Sequence, residues 1–340
     1  MPLPQPRPAR FALVTVGAIL ALLAAARLWR AAGAPQNARA APSAAHAAAT
    51  RVLTDDLGRR VVVPARPQRI LSYAPNLTEI LFAIGAGDRV VGRTRFCDWP
   101  PEAKRIPSFG GLLDPDFETI ATLRPDLVLA TTVGDPRNQV EALDRLGYPV
   151  YVTSPSTVED VIRSVEAIGR VVDAEQGSRV VAARMRAQLA DVRARVRGRR
   201  PLRTLVVIWQ DPLRVAGPGT FFADLVRHAG GNPVLEHGDA KYPQMSMEAV
   251  VAQAPEVIVL GLLGEPGQGA ADYWQKYRAI PAVRNGRIIS ISLERLTRPG
   301  PRMTEALVHL ARAIHPEAYA DRQTTSGSRD APGRTAGGAP

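Results

Sequence analysis

Nucleophilic or metal chemistry would have to come from one cysteine, Cys97, and five histidines, His46, His228, His237, His309 and His315. Neither set is arranged for it. Cys97 sits in FCDWP with no local protease signature, so a small, partly buried apolar role outweighs that of a nucleophile. The histidines are scattered, no pair of them with nearby carboxylates suggests a metal cage, and no metal site is expected. GxxxxGK[ST], GxSxG, HExxH and SxxK do not occur. What recurs is an aromatic ring beside a polar group, in loops. Tyr73 with Asn76, then Phe96, Asp98 and Trp99, then Gly110 and Gly111 follow strands or precede helices in the first half. Phe221, Phe222, Tyr242 and the stretch from Glu294 to Arg302 hold comparable places in the second. Such plates with polar handles suit a large, partly apolar ligand. For any single ring, filling a core is an equal expectation.

The elements that must position these loops come in two matching sets. FETIATLRPDLVLA (Phe117–Ala130) and MEAVVAQAPEVIVLG (Met247–Gly261) share one pattern, with Glu118 and Glu248, Pro125 and Pro255, Asp126 and Glu256 at equivalent places. Each reads as a short helix, a proline-marked stop and a buried strand. Between them lies Glu175–Arg197, where Val181, Met185, Leu189, Val192 and Val196 form one apolar stripe opposite a basic side. At 1.5 Å per residue that helix runs roughly 35 Å, about the length of a small domain. The expected architecture is α/β, two Rossmann-like lobes joined by one long rigid helix, with a ligand cleft between the lobes.

Local signals fill in the order. Arg51–Pro67 reads as a strand pair, and RILSYAP as a buried strand. Asn76 and Glu79 have the spacing of a capping box. Asp114 and Pro115 are expected as N-cap and first residue of the first repeat helix, Ser246 as N-cap of the second, and Ser156–Thr157 as the cap before VEDVIRSVEAIG. The expected division is a signal peptide or membrane anchor at 1–30, with the uncharged run Phe11–Ala26, and a spacer at 31–50. Lobes follow at 51–155 and 201–320, with connecting helices at 156–200 and a disordered tail at 321–340. The formal charge of +11 comes from 43 basic and 32 acidic residues, but the arginines are dispersed and no nucleic-acid motif accompanies them. Nucleic acid is not an expected partner.

The run RILSYAPNLTEILFAIGAGDRVVGRTRFCDWPPEAKRIPSFGGLLDPDFETIATLRPDLVLA resembles the class III, helical-backbone, substrate-binding proteins of ABC transporters. The likeness extends over about Val52 to Pro316 and is strongest to the cobalamin-binding branch. It implies a monomeric, exported receptor without catalysis or resident cofactor, periplasmic or at the outer face of the inner membrane. Its ligand would be a corrinoid, and its partner a permease dimer with ATPase subunits. By motif, Phe96 matches a cleft aromatic that contacts the corrinoid, and Tyr242 a tryptophan of the opposite lobe. Phe221 or Phe222 matches a cleft phenylalanine, while Glu294 and Arg298 fall where the family has an acid and an arginine. Glu118 and Glu248 match the surface glutamates, one per lobe, that dock onto arginines of the membrane subunits. Leu112 departs from the pattern, standing where the cobalamin-binding members carry a tryptophan, which leaves a ferric siderophore or haem open. Two other classes compete: a hydrolase using Cys97, and a membrane-tethered sensor retaining Phe11–Ala26 as an anchor.

Overall fold

The computed structural model describes residues 49–133, 137–262, 268–292 and 298–320. The expected signal or anchor, the spacer up to residue 48, the tail after residue 320, and Glu294 lie outside the described residues.

An antiparallel pair, β1 (Thr50–Thr54) and β2 (Arg60–Pro64), comes first among the described residues, as its alternating pattern predicts. The first lobe then lays down β3 (Ile70–Ser72), α1 (Pro75–Ala83), β4 (Val90–Arg93), α2 (Phe117–Leu123), β5 (Leu127–Thr131), α3 (Arg137–Arg145) and β6 (Val150–Thr153). Its four strands are parallel in the order β4-β3-β5-β6. Helices α4 (Val158–Val171) and α5 (Glu175–Val196) follow. The second lobe holds β7 (Leu202–Gln210), β8 (Leu213–Val215), α6 (Phe221–His228), β9 (Gly231–Pro233), α7 (Met247–Gln253), β10 (Val257–Leu262), α8 (Gln268–Gln275), α9 (Pro281–Arg284), β11 (Ile288–Ser292) and α10 (Met303–Ile314). There β9, β7, β10 and β11 are parallel neighbours, and β8 folds back antiparallel on β7.

The repeat seen in sequence is a repeat in hydrogen bonding. Helices α2 and α7 each begin on a side-chain cap, Asp116 and Ser246, and each end on a left-handed residue, Arg124 at φ 44° and Ala254 at φ 45°. Beyond the prolines, Asp126 accepts from the Gln68 and Arg69 amides at 2.8 and 2.9 Å, and its own amide donates to the Arg69 carbonyl. In the second lobe Glu256 accepts from the Arg203 amide at 3.1 Å and donates to the Arg203 carbonyl. Arg69 and Arg203 then reach back to the last carbonyls of α2 and α7, the groups a helix leaves without partners. One clasp thus locks each lobe's central strands to the helix before them. Asp116, not Asp114, is the cap of α2; Asp114 instead pairs with Arg95.

Helix α5 buries Val181, Met185, Leu189 and Val192 of the expected stripe together with Ser178 and Ala182, while Val196, the last of that stripe, is only partly buried. The buried apolar side chains belong to a continuous core that takes in Ile70, Leu77 and Leu129 of the first lobe and Leu202, Val206 and Leu307 of the second. Its arginine side is less free than the sequence implies. Arg186 grips Glu166 of α4 through two bonds of 2.7 and 2.9 Å, and Arg193 pairs with Glu159 of the same helix. At the start of α5, Gly177 lies against α1: a Cβ placed there would sit 2.8 Å from the Ile84 carbonyl carbon, too close for any real contact. Among the described residues no helix is long and apolar enough to cross a membrane.

Candidate functional site

Both parallel sheets end at one cavity of about 1030 Å³. Its first-lobe wall is Thr131 and Thr132 at the end of β5, Ser154 to Ser156 after β6, and Arg137 and Val140 on α3. Its second-lobe wall is Thr220, Phe221, Phe222, Lys241 and Tyr242, and Pro299 also lines it. Carboxyl ends of strands are where open α/β sheets collect ligands, because loops and helix starts converge there. Thr132 and Ser154 share a hydroxyl bond of 2.8 Å, and Thr220 caps α6. Phe222 meets Tyr242 edge-on at 6.2 Å. Tyr242 keeps 43% of its surface exposed, while Phe221 and Phe222 show only edges. A different hollow, of about 770 Å³ beside Arg200, Glu256 and Arg287, lies at the amino ends of the second-lobe strands.

Phe221, Phe222 and Tyr242 therefore come together as expected, whereas the first-lobe residues named from sequence do not line this cavity. Tyr73 follows Leu71 to one face of the sheet, as alternation along a strand requires, and is wholly buried against Phe109 with ring centroids 5.2 Å apart. It is a core residue, not a cleft plate, and burial raises its phenol well above the usual tyrosine range, with Asp114 adding to the rise. Gly110 takes φ +102°, a conformation that favours glycine, and accepts from the Arg95 amide at 2.7 Å. Gly111 is buried and Leu112 half-buried. Phe96 and Trp99 are about half exposed on their own loop.

Asn76 and Glu79 form no capping box. Helix α1 starts on Ala74 with Pro75 as its first residue and no side-chain cap. Asn76 instead donates across the lobes to the Pro299 carbonyl at 3.4 Å. Glu79 is buried, 3.3 Å from Arg298 and 3.6 Å from Arg302. Arg298 donates further to Asp98 at 2.6 Å and to the Phe96 carbonyl at 3.3 Å. Burial pushes the Glu79 carboxyl up, and Arg302 and Arg298 offset that only in part. Burial would also raise Asp98, but its bond to Arg298 and that charge hold it below the ordinary range. Arg298, expected as a ligand contact, thus acts in this structure as a bridge between lobes.

The described residues hold one group that could ligate a metal, Glu159, Asp224 and His228. Arg193 already places its guanidinium there, pairing with Glu159 and 3.2 Å from both His228 ring nitrogens. The cluster joins α4, α5 and α6 by charge. Cys97 is buried beside Thr94, and burial raises its thiol, the opposite of what a nucleophile needs.

Two lobes with parallel sheets, a helical spine and a cavity between them restrict the relatives to be considered. The sequence profile described as periplasmic binding protein matches residues 70–293. The chain belongs to that family. This periplasmic binding protein is 27% identical over 243 residues to the vitamin B12-binding protein of Vibrio parahaemolyticus, spanning 72% of this chain and 88% of that one. Its fold matches the periplasmic vitamin B12 binding protein BtuF of Vibrio cholerae with a TM-score of 0.68 at 26% identity, covering 76% of this chain and all of that one. A heme-binding protein, RhuT of Roseiflexus sp. RS-1, is similar at 27% identity and TM-score 0.65, over 74% of this chain and 99% of that one. Sequence reasoning missed Thr131, Thr132, Ser154, Ser156 and Lys241. The first four are polar residues at or just past the ends of buried strands, a signal that the strand-end rule makes readable. Glu79 had no such signal, since its partners lie 219 residues away and beyond.

Proposed function

We propose that the chain is the extracytoplasmic receptor of an ABC importer and captures cobalamin or a related corrinoid between its lobes. The cavity carries this reading. At about 1030 Å³ it stands at the upper end of small-molecule pockets, which run roughly 300–1,000 Å³. Rings from the second lobe face hydroxyls and charged groups of the first, Arg59, Arg137, Glu141 and Asp144 among them, over a volume that suits a large polar-fringed macrocycle better than a small solute. Capture needs no covalent step, and the raised, buried Cys97 thiol argues against a hydrolase. Glu118 and Glu248, both exposed and both in the first turn after a matched cap, would meet a permease dimer whose ATPase subunits drive uptake. The continuous core through α5 favours small lobe movements over a wide hinge. Phe11–Ala26 would direct export, as a cleaved signal or as an anchor.

A second reading, haem or a ferric siderophore, draws on Leu112 in place of a tryptophan and on the exposed Tyr242 ring in the cavity, since a phenolate oxygen ligates ferric iron. Titration of the full chain with cyanocobalamin, haem and a ferric siderophore, followed by tryptophan quenching, separates the two. Saturable tight binding of cyanocobalamin alone is expected. Preference for either iron ligand keeps the transport role and moves the ligand, and no binding to any of them overturns the receptor reading.

A further inference from the structure

We propose that Glu79 is a positioning residue for the exposed aromatic loop Phe96–Trp99, acting through two arginines of the opposite lobe; its bearing on capture rests on the receptor reading above. The carboxylate is on α1, with its side chain 2% exposed, and touches no part of the loop in the hydrogen bonds described. Both arginines it draws in do. Arg298 is 12% exposed and donates at once to Glu79, to Asp98 and to the Phe96 carbonyl. Arg302 pairs with the same Glu79 oxygen and lays its guanidinium over the Trp99 ring, 4.4 Å from the centroid. One buried oxygen, Oε1, therefore organises two cations that hold the loop at its first and last aromatic residues.

Charge balance explains why this arrangement persists. Glu79 and Asp98 offset Arg298 and Arg302, and a buried ion is tolerated only when paired. Oε2 of Glu79 has no hydrogen-bond partner, so the whole paired role falls on Oε1. A cation over the face of an indole is attracted by the ring's quadrupole, more so when partly desolvated, as at this site where Arg302 is 19% exposed. Without Glu79 two neighbouring guanidiniums of the second lobe would share one carboxylate, Asp98, which contacts Arg298. Asp98 can retain one of them, so the stack on Trp99 is the contact to fail first.

The test reads the loop without any ligand. In the full chain, Trp29→Phe and Trp209→Phe leave Trp99 as the exposed emitter, because Trp274 is fully buried. Glu79→Gln in that background is expected to raise acrylamide quenching of Trp99 at least about twofold in the folded protein, and Arg302→Gln to do the same. The double variant should add little, since directly coupled residues are strongly non-additive. In otherwise wild-type protein, Glu79→Gln should weaken cyanocobalamin binding about tenfold, which is about 1.4 kcal/mol, through Pro299 of the cavity wall, which adjoins the released Arg298. Unchanged Trp99 quenching in a folded Glu79→Gln protein, or additive effects of the two substitutions, overturns the proposal. If Glu79→Gln does not fold, Arg302→Gln and Arg298→Gln carry the same readout, and no change in either overturns it. Failure of the unaltered protein to bind cyanocobalamin would count against the receptor reading and leave the quenching result standing.

Discussion

Gly177→Ala sets two physical effects against each other and lets their sizes decide. Alanine is the better helix former by about 1 kcal/mol, so propensity alone predicts a gain in stability. Packing predicts a loss. The new Cβ would lie 2.8 Å from the Ile84 carbonyl carbon and 3.1 Å from its Cα, against ordinary contacts of 3.4 Å or more. The obstructing atoms are backbone at the end of α1 and have no rotamer by which to move aside. Helices α1 and α5 must therefore part by roughly 1 Å, and overpacking of this kind costs about 1–3 kcal/mol. We expect packing to win, with Gly177→Ala less stable than the unaltered protein by about 1 kcal/mol in urea denaturation at unchanged slope. The exposed neighbour Gln176→Ala is the control and should stay within about 0.5 kcal/mol. A Gly177→Ala protein as stable as its parent would mean that the Ile84 carbonyl yields. It would also mean that the close approach of Gly177 to Ile84 does not fix how near α5 lies to α1.

Three further outcomes follow from the same geometry. Glu118→Arg with Glu248→Arg should abolish ligand-dependent uptake in cells while leaving ligand affinity unchanged in a titration; wild-type uptake by the double variant removes the docking role. Cys97 should resist a thiol reagent such as DTNB in the native state and react fully in denaturant, and Cys97→Ala should bind ligand as before. Asp98, held below the usual carboxylate range by Arg298, contributes stability above its unfolded pKa of about 3.9 that is lost as pH falls through the folded value. Asp98→Asn should thus flatten the acid limb of a stability profile measured by thermal melts from pH 3 to 6, whereas Glu79, shifted upward, has the opposite sign and should not produce that limb.

Much of the scaffold was legible because its signals are local and periodic. The stripe Val181–Met185–Leu189–Val192 needs only a helical repeat, and the matched Pro125 and Pro255 need only comparison of one half of the chain with the other. Caps were readable where one candidate stood alone, as at Ser246, and misread where Asp114 and Asp116 stood two residues apart around a proline. The cleft was half legible. Phe221, Phe222 and Tyr242 adjoin a helix start or a turn and line the cavity, but Tyr73 looked the same in sequence and went to the core, because strand alternation was not carried one residue past Ser72. The misassigned Asn76–Glu79 box is more instructive. Its spacing is right for a cap, and what overrules it is a pair of arginines more than 200 residues away, brought near only by tertiary folding.

The doubled clasp of Arg69 with Asp126 and Arg203 with Glu256 sits at the amino ends of the strands, remote from the cavity at their carboxyl ends. It separates what must stay alike from what is free to diverge. Each half of the chain secures its own sheet with its own copy, so a substitution in one cleft wall does not loosen the other. The two walls can then differ independently in chemistry, one rich in hydroxyls and the other in rings, while the frame that holds them apart stays the same. An asymmetric solute selects for that kind of divergence, and a new solute can be adopted by altering one half alone.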